Sequence, residues 1–165
     1  MVILRKGGII EDKGKFSVDY DQFWLFPTLY HQQMDSVVAD ARTDMDRLKS
    51  FAQPEGSVRI EFFIKVEKAI ECTDLGKVLN LRGQHIWKDS VIEERFGWGK
   101  NNGIHLIIAR VYRLPEPQIL PMLPDYGGCK SWVELDRPLS TVTVKPVLSD
   151  AEFSTKATAV LGDCS

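Results

Sequence analysis

The sequence predicts an α+β fold: a twisted, mostly antiparallel sheet or small open barrel of about six strands, with one long and about three short helices. Three stretches carry that expectation. Val58 to Val66 alternates apolar and polar residues, the two-residue period of a half-buried strand, although Phe63 stands among the polar positions Arg59, Glu61, Lys65 and Glu67. Ile104 to Leu114 is apolar in both phases, as a central strand is. Between Leu29 and Phe51 the apolar positions Met34, Val37, Val38, Ala41, Met45, Leu48 and Phe51 recur at three- and four-residue steps, which predicts one amphipathic helix of several turns.

A chain of 165 residues fits one domain, residues 1–148 forming its core and 149–165 a terminal helix or tail. At that length folding buries roughly 70% of the unfolded surface, so neither disulfide nor metal is needed. The net charge of -2 argues against electrostatic coating of nucleic acid but leaves room for a local basic patch. Cys72, Cys129 and Cys164 are odd in number and lack CxxC spacing, which suits free thiols in a reducing cytoplasm. The opening MVILRKGGII has no basic-then-apolar signal pattern. No window approaches the ~18 apolar residues of a membrane span. A soluble cytoplasmic protein is the expectation, with no membrane partner.

Taken in order, Val2 to Leu4 is a short strand interrupted at Arg5-Lys6-Gly7-Gly8, where paired glycines allow a turn or an anion nest. Ile9 and Ile10 resume it, and Glu11 to Lys15 forms a polar hairpin tip leading to an edge strand at Phe16 to Tyr20. Phe23 to Phe26 reads as a buried strand stopped by Pro27. Lys68 breaks the alternation of the long strand, and a bulge there returns Ile70 and Cys72 to the core. Thr73-Asp74 opens a short helix, and Ser90 with Glu93 has the capping-box spacing that opens a second. Pro115, Pro117, Pro121 and Pro124 make the next stretch extended and turn-rich. Strands are expected at Ser131 to Leu135 and Thr141 to Val147. Ser149 with Glu152 is another capping box, opening a helix that fades by Gly162.

Four ordered phrases stand out: LRKGGI at Leu4–Ile9, FWLFPT at Phe23–Thr28 with His31-Gln32 following, RVYRLP at Arg110–Pro115, and GCKSWVEL at Gly128–Leu135. Together they resemble the family called domain of unknown function 1802, found mainly in bacteria, and the resemblance spans nearly the whole chain. It implies a cytoplasmic bacterial protein and brings no activity, cofactor or catalytic residue.

The residues themselves narrow the chemistry. His31, His85 and His105 lack metal-ligand spacing, so no metal site is expected. Cys129 and His31 would have to meet in space to make a nucleophile, whereas a free cysteine is more often a small core residue. A Mg²⁺-dependent nuclease would draw on Glu61, Lys65 and Glu11, although Glu61 and Lys65 stand four residues apart where such cores use two. No catalytic residue and no cofactor is assigned. The preferred reading is a binding module for RNA, DNA or a nucleotide-like, phosphorylated small molecule, because cations mixed with aromatics supply charge-assisted hydrogen bonds and stacking. Its candidate ligand-binding residues are Arg5, Lys6, His31, Arg95, Trp98, Arg110, Tyr112, Tyr126, Cys129, Ser131 and Trp132. PUA-like small barrels that bind RNA share the expected mixture of elements, an analogy of fold alone. Against it stands a bland reading in which Trp24, Trp87 and Trp132 are core, the charges are solvated, and the chain is a structural or interaction subunit. Arg110 separates the two: on a central apolar strand it must be paired or line a polar cavity.

Overall fold

The computed structural model describes residues 1–6, 10–12, 15–17, 20–27, 34–42, 55–127 and 132–164. In chain order its elements are β1 (Val2–Arg5), β2 (Ile10–Asp12), β3 (Lys15–Ser17), β4 (Gln22–Trp24), β5 (Ser57–Cys72), α1 (Leu75–Asn80), α2 (Asp89–Gly97), β6 (Ile104–Pro121), β7 (Lys145–Pro146) and α3 (Asp150–Cys164). β2 and β3 form a separate hairpin, as the polar tip predicted. The other five strands make one open sheet ordered β1-β6-β5-β4, with β7 also on β6, and every strand pair is antiparallel. The fold is therefore a single α+β domain with an open sheet.

β5 and β6 are the frame, paired from Ser57↔Pro121 to Cys72↔Ile104. Two irregularities interrupt their register. The one between Val66 and Lys68 lies where the sequence places a bulge, and beyond it Cys72 is buried and Ile70 packs on the core. The other, between Ile60 and Phe62, overturns the simple alternation read from the sequence. Ile60 pairs Gln118 and Phe62 pairs Arg113, so residues 114–117 of β6 lie outside the ladder. Pro115 and Pro117 are in that gap, and neither has an N–H to give to a ladder. The shift brings Phe63 and Lys65 to the side of Val58 and Ile60: Trp24 sits opposite Phe63 and also packs on the Val58–Ile60 cluster. Phe63 among the polar positions was the visible sign of that bulge.

One face of the sheet carries two apolar clusters, one at each end. At the first, Leu4, Cys72, Ile104, Leu106 and Ile108 meet Val78 and Leu81 after β5, Ile92 and Phe96 of α2, and Val160 of α3. At the second, Val58, Ile60 and Leu120 meet Tyr126, with Leu123, Val133, Leu135 and Leu139 packed around them. The first is roofed by helices and the second by irregular chain.

Several expected elements differ. The long helix over Leu29–Phe51 is not continuous: Met34–Ser36 is a single 3-10 turn, Val37 forms a β-bridge with Trp87, and only 39–42 are helical among the described residues of that span. The Val38 N–H donates to the Ile86 carbonyl and the Lys88 N–H to the Ser36 carbonyl, so pairing with the 86–88 connector overrides helical periodicity. Residues 29–33 and 43–51 of that span lie outside the described residues. The longest described helix is α3, which runs through Gly162 to Cys164. Its capping box forms as expected, with Ser149 Oγ at 2.6 Å from Glu152 Oε2 and the Glu152 N–H donating back to Ser149 Oγ. The Ser90–Glu93 box does not form. α2 starts two residues earlier with Lys88 at its cap position, and Arg82 Nε holds Asp89 of the first turn. The run at Phe23–Phe26 yields only the half-buried edge strand β4. Residues 132–135 are irregular, and the expected strand over Thr141–Val147 shrinks to β7, leaving Val142 89% exposed.

Candidate functional site

Those of the predicted ligand residues that the structure describes do not converge on one place. Lys6 and Arg95 are spent on structure. Lys6 Nζ donates to the carbonyls of Phe96 (2.8 Å), Asn101 (2.5 Å) and Gly103 (2.9 Å), plugging the end of α2 and the loop after it. A cation at a helix C-terminus answers the negative end of the dipole and satisfies orphan carbonyls. Gly103 at the close of that loop has φ +148, and a Cβ there would stand 3.4 Å from the Cys72 carbonyl, so glycine is required. Arg95 lies 4.0 Å over the Trp87 ring; burial lowers its pKa, Arg5 adds to that and Glu94 opposes it. Arg5 pairs with His105 across β1 and β6. The anion-nest reading of Arg5-Lys6-Gly7-Gly8 thus loses Lys6, while Gly7 and Gly8 lie outside the described residues, as do His31, Cys129 and Ser131. Trp98, 72% exposed, stands on the same loop.

Tyr126 and Trp132 belong to the second cluster. The Tyr126 hydroxyl donates to Asp136 Oδ1 (2.8 Å) and accepts the Asp136 N–H (2.9 Å), closing the irregular roof. That N–H works to lower the phenol's pKa, but burial and the facing carboxylate outweigh it and raise it. Trp132 packs edge-on to Phe23 at 4.9 Å and tilted to Tyr20 at 5.7 Å. Beside them opens a cleft of about 410 Å³ lined by Leu123, Asp125, Tyr126, Trp132, Val133, Glu134, Leu135 and Asp136. Among the described residues three carboxylates line it and no cation does, which disfavours a phosphate there. Arg110 is not among the described residues that line this cleft with Trp132.

Between the two roofs, on the same face, lies a strip built from the middles of β4, β5 and β6. Trp24, Phe63 and Tyr112 stand opposite one another across the three strands, with ring centroids 5.0 and 6.2 Å apart. The next row holds Gln22, Lys65 and Arg110. Lys65 Nζ lies 5.5 Å from the Tyr112 ring and the Arg110 guanidinium 5.7 Å from it, with Phe153 of α3 at 5.2 Å on the helix side. Like charges directly opposite on neighbouring strands repel, so the Lys65–Arg110 pair is not there for the sheet's sake. Arg110 is ion-paired with Asp150, which raises its pKa. Its side chain is 16% exposed and that of Asp150 91%. No acceptor among the described residues reaches the shielded Arg110 Nε–H. Lys65 has no carboxylate partner among the described residues.

Sequence reasoning omitted Lys65 and Asp150 from the binding set. Lys65 was assigned to the wrong face by strict alternation, and Asp150 was read only as part of a helix start. Glu61, the central carboxylate of the nuclease alternative, is held by Arg59 Nε on Oε2 (3.0 Å) and Arg113 Nε on Oε1 (2.7 Å). Both oxygens are thereby occupied. Among the described residues no three His, Cys, Asp or Glu side chains gather as metal ligands, and no helix is long and apolar enough to cross a membrane.

Fold and strip together describe an α+β protein whose open antiparallel sheet carries a cation-and-aromatic band between two roofs. The chain belongs to the family described as Domain of unknown function (DUF1802), which matches residues 1–159. No curated protein and no solved structure matches it.

Proposed function

We propose that this protein is a non-catalytic binding protein for a nucleotide unit, either free or within a single-stranded nucleic acid, and that the ligand lies on the strip of Lys65, Arg110 and Tyr112. One observation carries the reading: two cations placed directly opposite one another, both against one aromatic ring, with the exposed Asp150 paired to Arg110 and, among the described residues, no carboxylate paired to Lys65. The repulsion weakens the sheet and is relieved by a bound anion. A phosphate answers the cations and a base stacks on the exposed part of the half-buried Tyr112 ring. The acidic cleft takes no part. The Mg²⁺-nuclease reading is weakened by the two guanidiniums on Glu61.

The test is fluorescence anisotropy with a labelled oligothymidylate of about 12 nucleotides, a length one small domain can cover, set beside titrations of free mononucleotides. Lys65→Ala and Arg110→Ala should each weaken binding about three- to tenfold, and affinity should fall as salt rises. Binding only of the oligomer identifies a nucleic-acid ligand, and binding of both a nucleotide. Equal affinities for the wild type and both variants would remove the strip from consideration.

A further inference from the structure

Resting on that reading, we infer that Asp150 is a built-in competitor for the phosphate: the α3 carboxylate occupies Arg110 in the free protein, and the ligand must displace it.

The contact is made so that it can be given up. Asp150 is almost fully exposed, so its carboxylate swings into water at little desolvation cost, and the mostly buried Arg110 it leaves is met by the incoming phosphate. The helix does not depend on it, because the start of α3 is held by the reciprocal Ser149–Glu152 bonds. Further along, Phe153, Ala157, Val160 and Leu161 pack into the first cluster. The approach to α3 is pinned as well: Tyr112 pairs with Pro146, and the Val147 N–H donates to the Val111 carbonyl at 2.9 Å. Displacement is therefore a side-chain rotation, not a movement of the helix. Arg110, by contrast, stays in place without Asp150, since its guanidinium lies between the Tyr112 and Phe153 rings. A carboxylate on one nitrogen leaves the guanidinium fork half used, with Nε–H lacking an acceptor among the described residues. A phosphate carries more charge and more acceptor oxygens than a carboxylate. Arg110 is thus already paired when the strip is empty, and the strip selects ligands able to outcompete a carboxylate.

The experiment is a double-mutant cycle on the same labelled oligothymidylate at low salt. Asp150→Asn should tighten binding about two- to fivefold, the modest size expected for release of an exposed ion pair. The same substitution in an Arg110→Ala background should change nothing, because the competitor then has nothing to occupy. Asp163→Asn, an equal change of charge near the far end of α3, should leave affinity unaltered. Unchanged thermal melting of Asp150→Asn confirms that the helix start survives. If Asp150→Asn has no effect while Lys65→Ala and Arg110→Ala weaken binding, the strip binds but Asp150 does not compete. If Asp150→Asn tightens binding equally with and without Arg110, the effect is general charge and the inference fails. If neither wild type nor Asp150→Asn binds, both the inference and the nucleotide reading fall.

Discussion

The two ends of the β5–β6 pair bury their apolar face in different ways. At the Ile104–Cys72 end, side chains of α2, α3 and the α1 region close over the sheet, and Ile92, Ile104, Leu106 and Leu81 are completely buried. At the Ser57–Pro121 end the cover is the irregular chain around Tyr126 and Leu135, stapled by one tyrosine–aspartate pair, and a cleft opens beside it. A helix satisfies its own backbone and can lie flat on a core. Irregular chain must leave its N–H and C=O groups to water or to side chains, so its cover stays thinner and more open. Between the two roofs the same sheet face turns from apolar to cationic at Lys65 and Arg110.

The sharpest test of this contrast is a pair of truncations. Leu106→Ala under the helices should cost about 3–5 kcal/mol, and Leu120→Ala under the irregular roof about 2–3 kcal/mol, because a loosely held cover collapses more readily into the vacated space. Urea denaturation measures both, and equal losses would erase the distinction. Next in size is Lys6→Met, which leaves three carbonyls without their ammonium; a loss of about 2 kcal/mol is expected, with faster amide exchange in the loop from Trp98 to Gly103. Ser149→Ala removes the cap of α3 and should cost about 1 kcal/mol, again charged to the helix-roofed end.

The smallest effect is a dependence on pH. Burial lowers the pKa of His85 and of His105 below the ordinary 6.5, while Asp89 and Glu71 respectively oppose it. His85 Nδ1 accepts the Trp87 N–H at 3.1 Å, which requires the neutral ring. Both histidines favour the neutral form when folded. Their contribution is complete above pH 6.5 and is lost as pH falls from there through the lowered folded values, since the unfolded chain takes up protons first. Hydrogen exchange near pH 5 should therefore show the helix-roofed end loosening before the other, and His85→Asn should flatten the fall. Loss beginning at the Tyr126 end would contradict this.

Apart from the Ser90–Glu93 box, local signals in the sequence agree with the structure where the physics is local. The β2–β3 hairpin, the bulge before Lys68, the Asp74 cap (its carboxylate 3.3 Å from the Lys77 nitrogen) and the Ser149–Glu152 box all involve neighbours within a few residues. Periodicity failed at Val37, because its backbone pairs with Trp87, and at Glu61, because the irregularity answers prolines on a distant strand. The site followed the same rule. Arg110 was conspicuous because a guanidinium on an otherwise apolar strand demands a partner.

By itself, then, the sequence determined the α+β class, the long alternating strand, the apolar strand that Arg110 interrupts, and the family. Only the tertiary structure decided what each cation touches. It tied Lys6 to three carbonyls, laid Arg95 on Trp87, turned Lys65 toward Arg110 through a bulge, and set Asp150 on Arg110 from 40 residues away. Those choices rest on contacts between distant segments, and an ion pair or a register shift has no periodicity by which one strand could announce it alone.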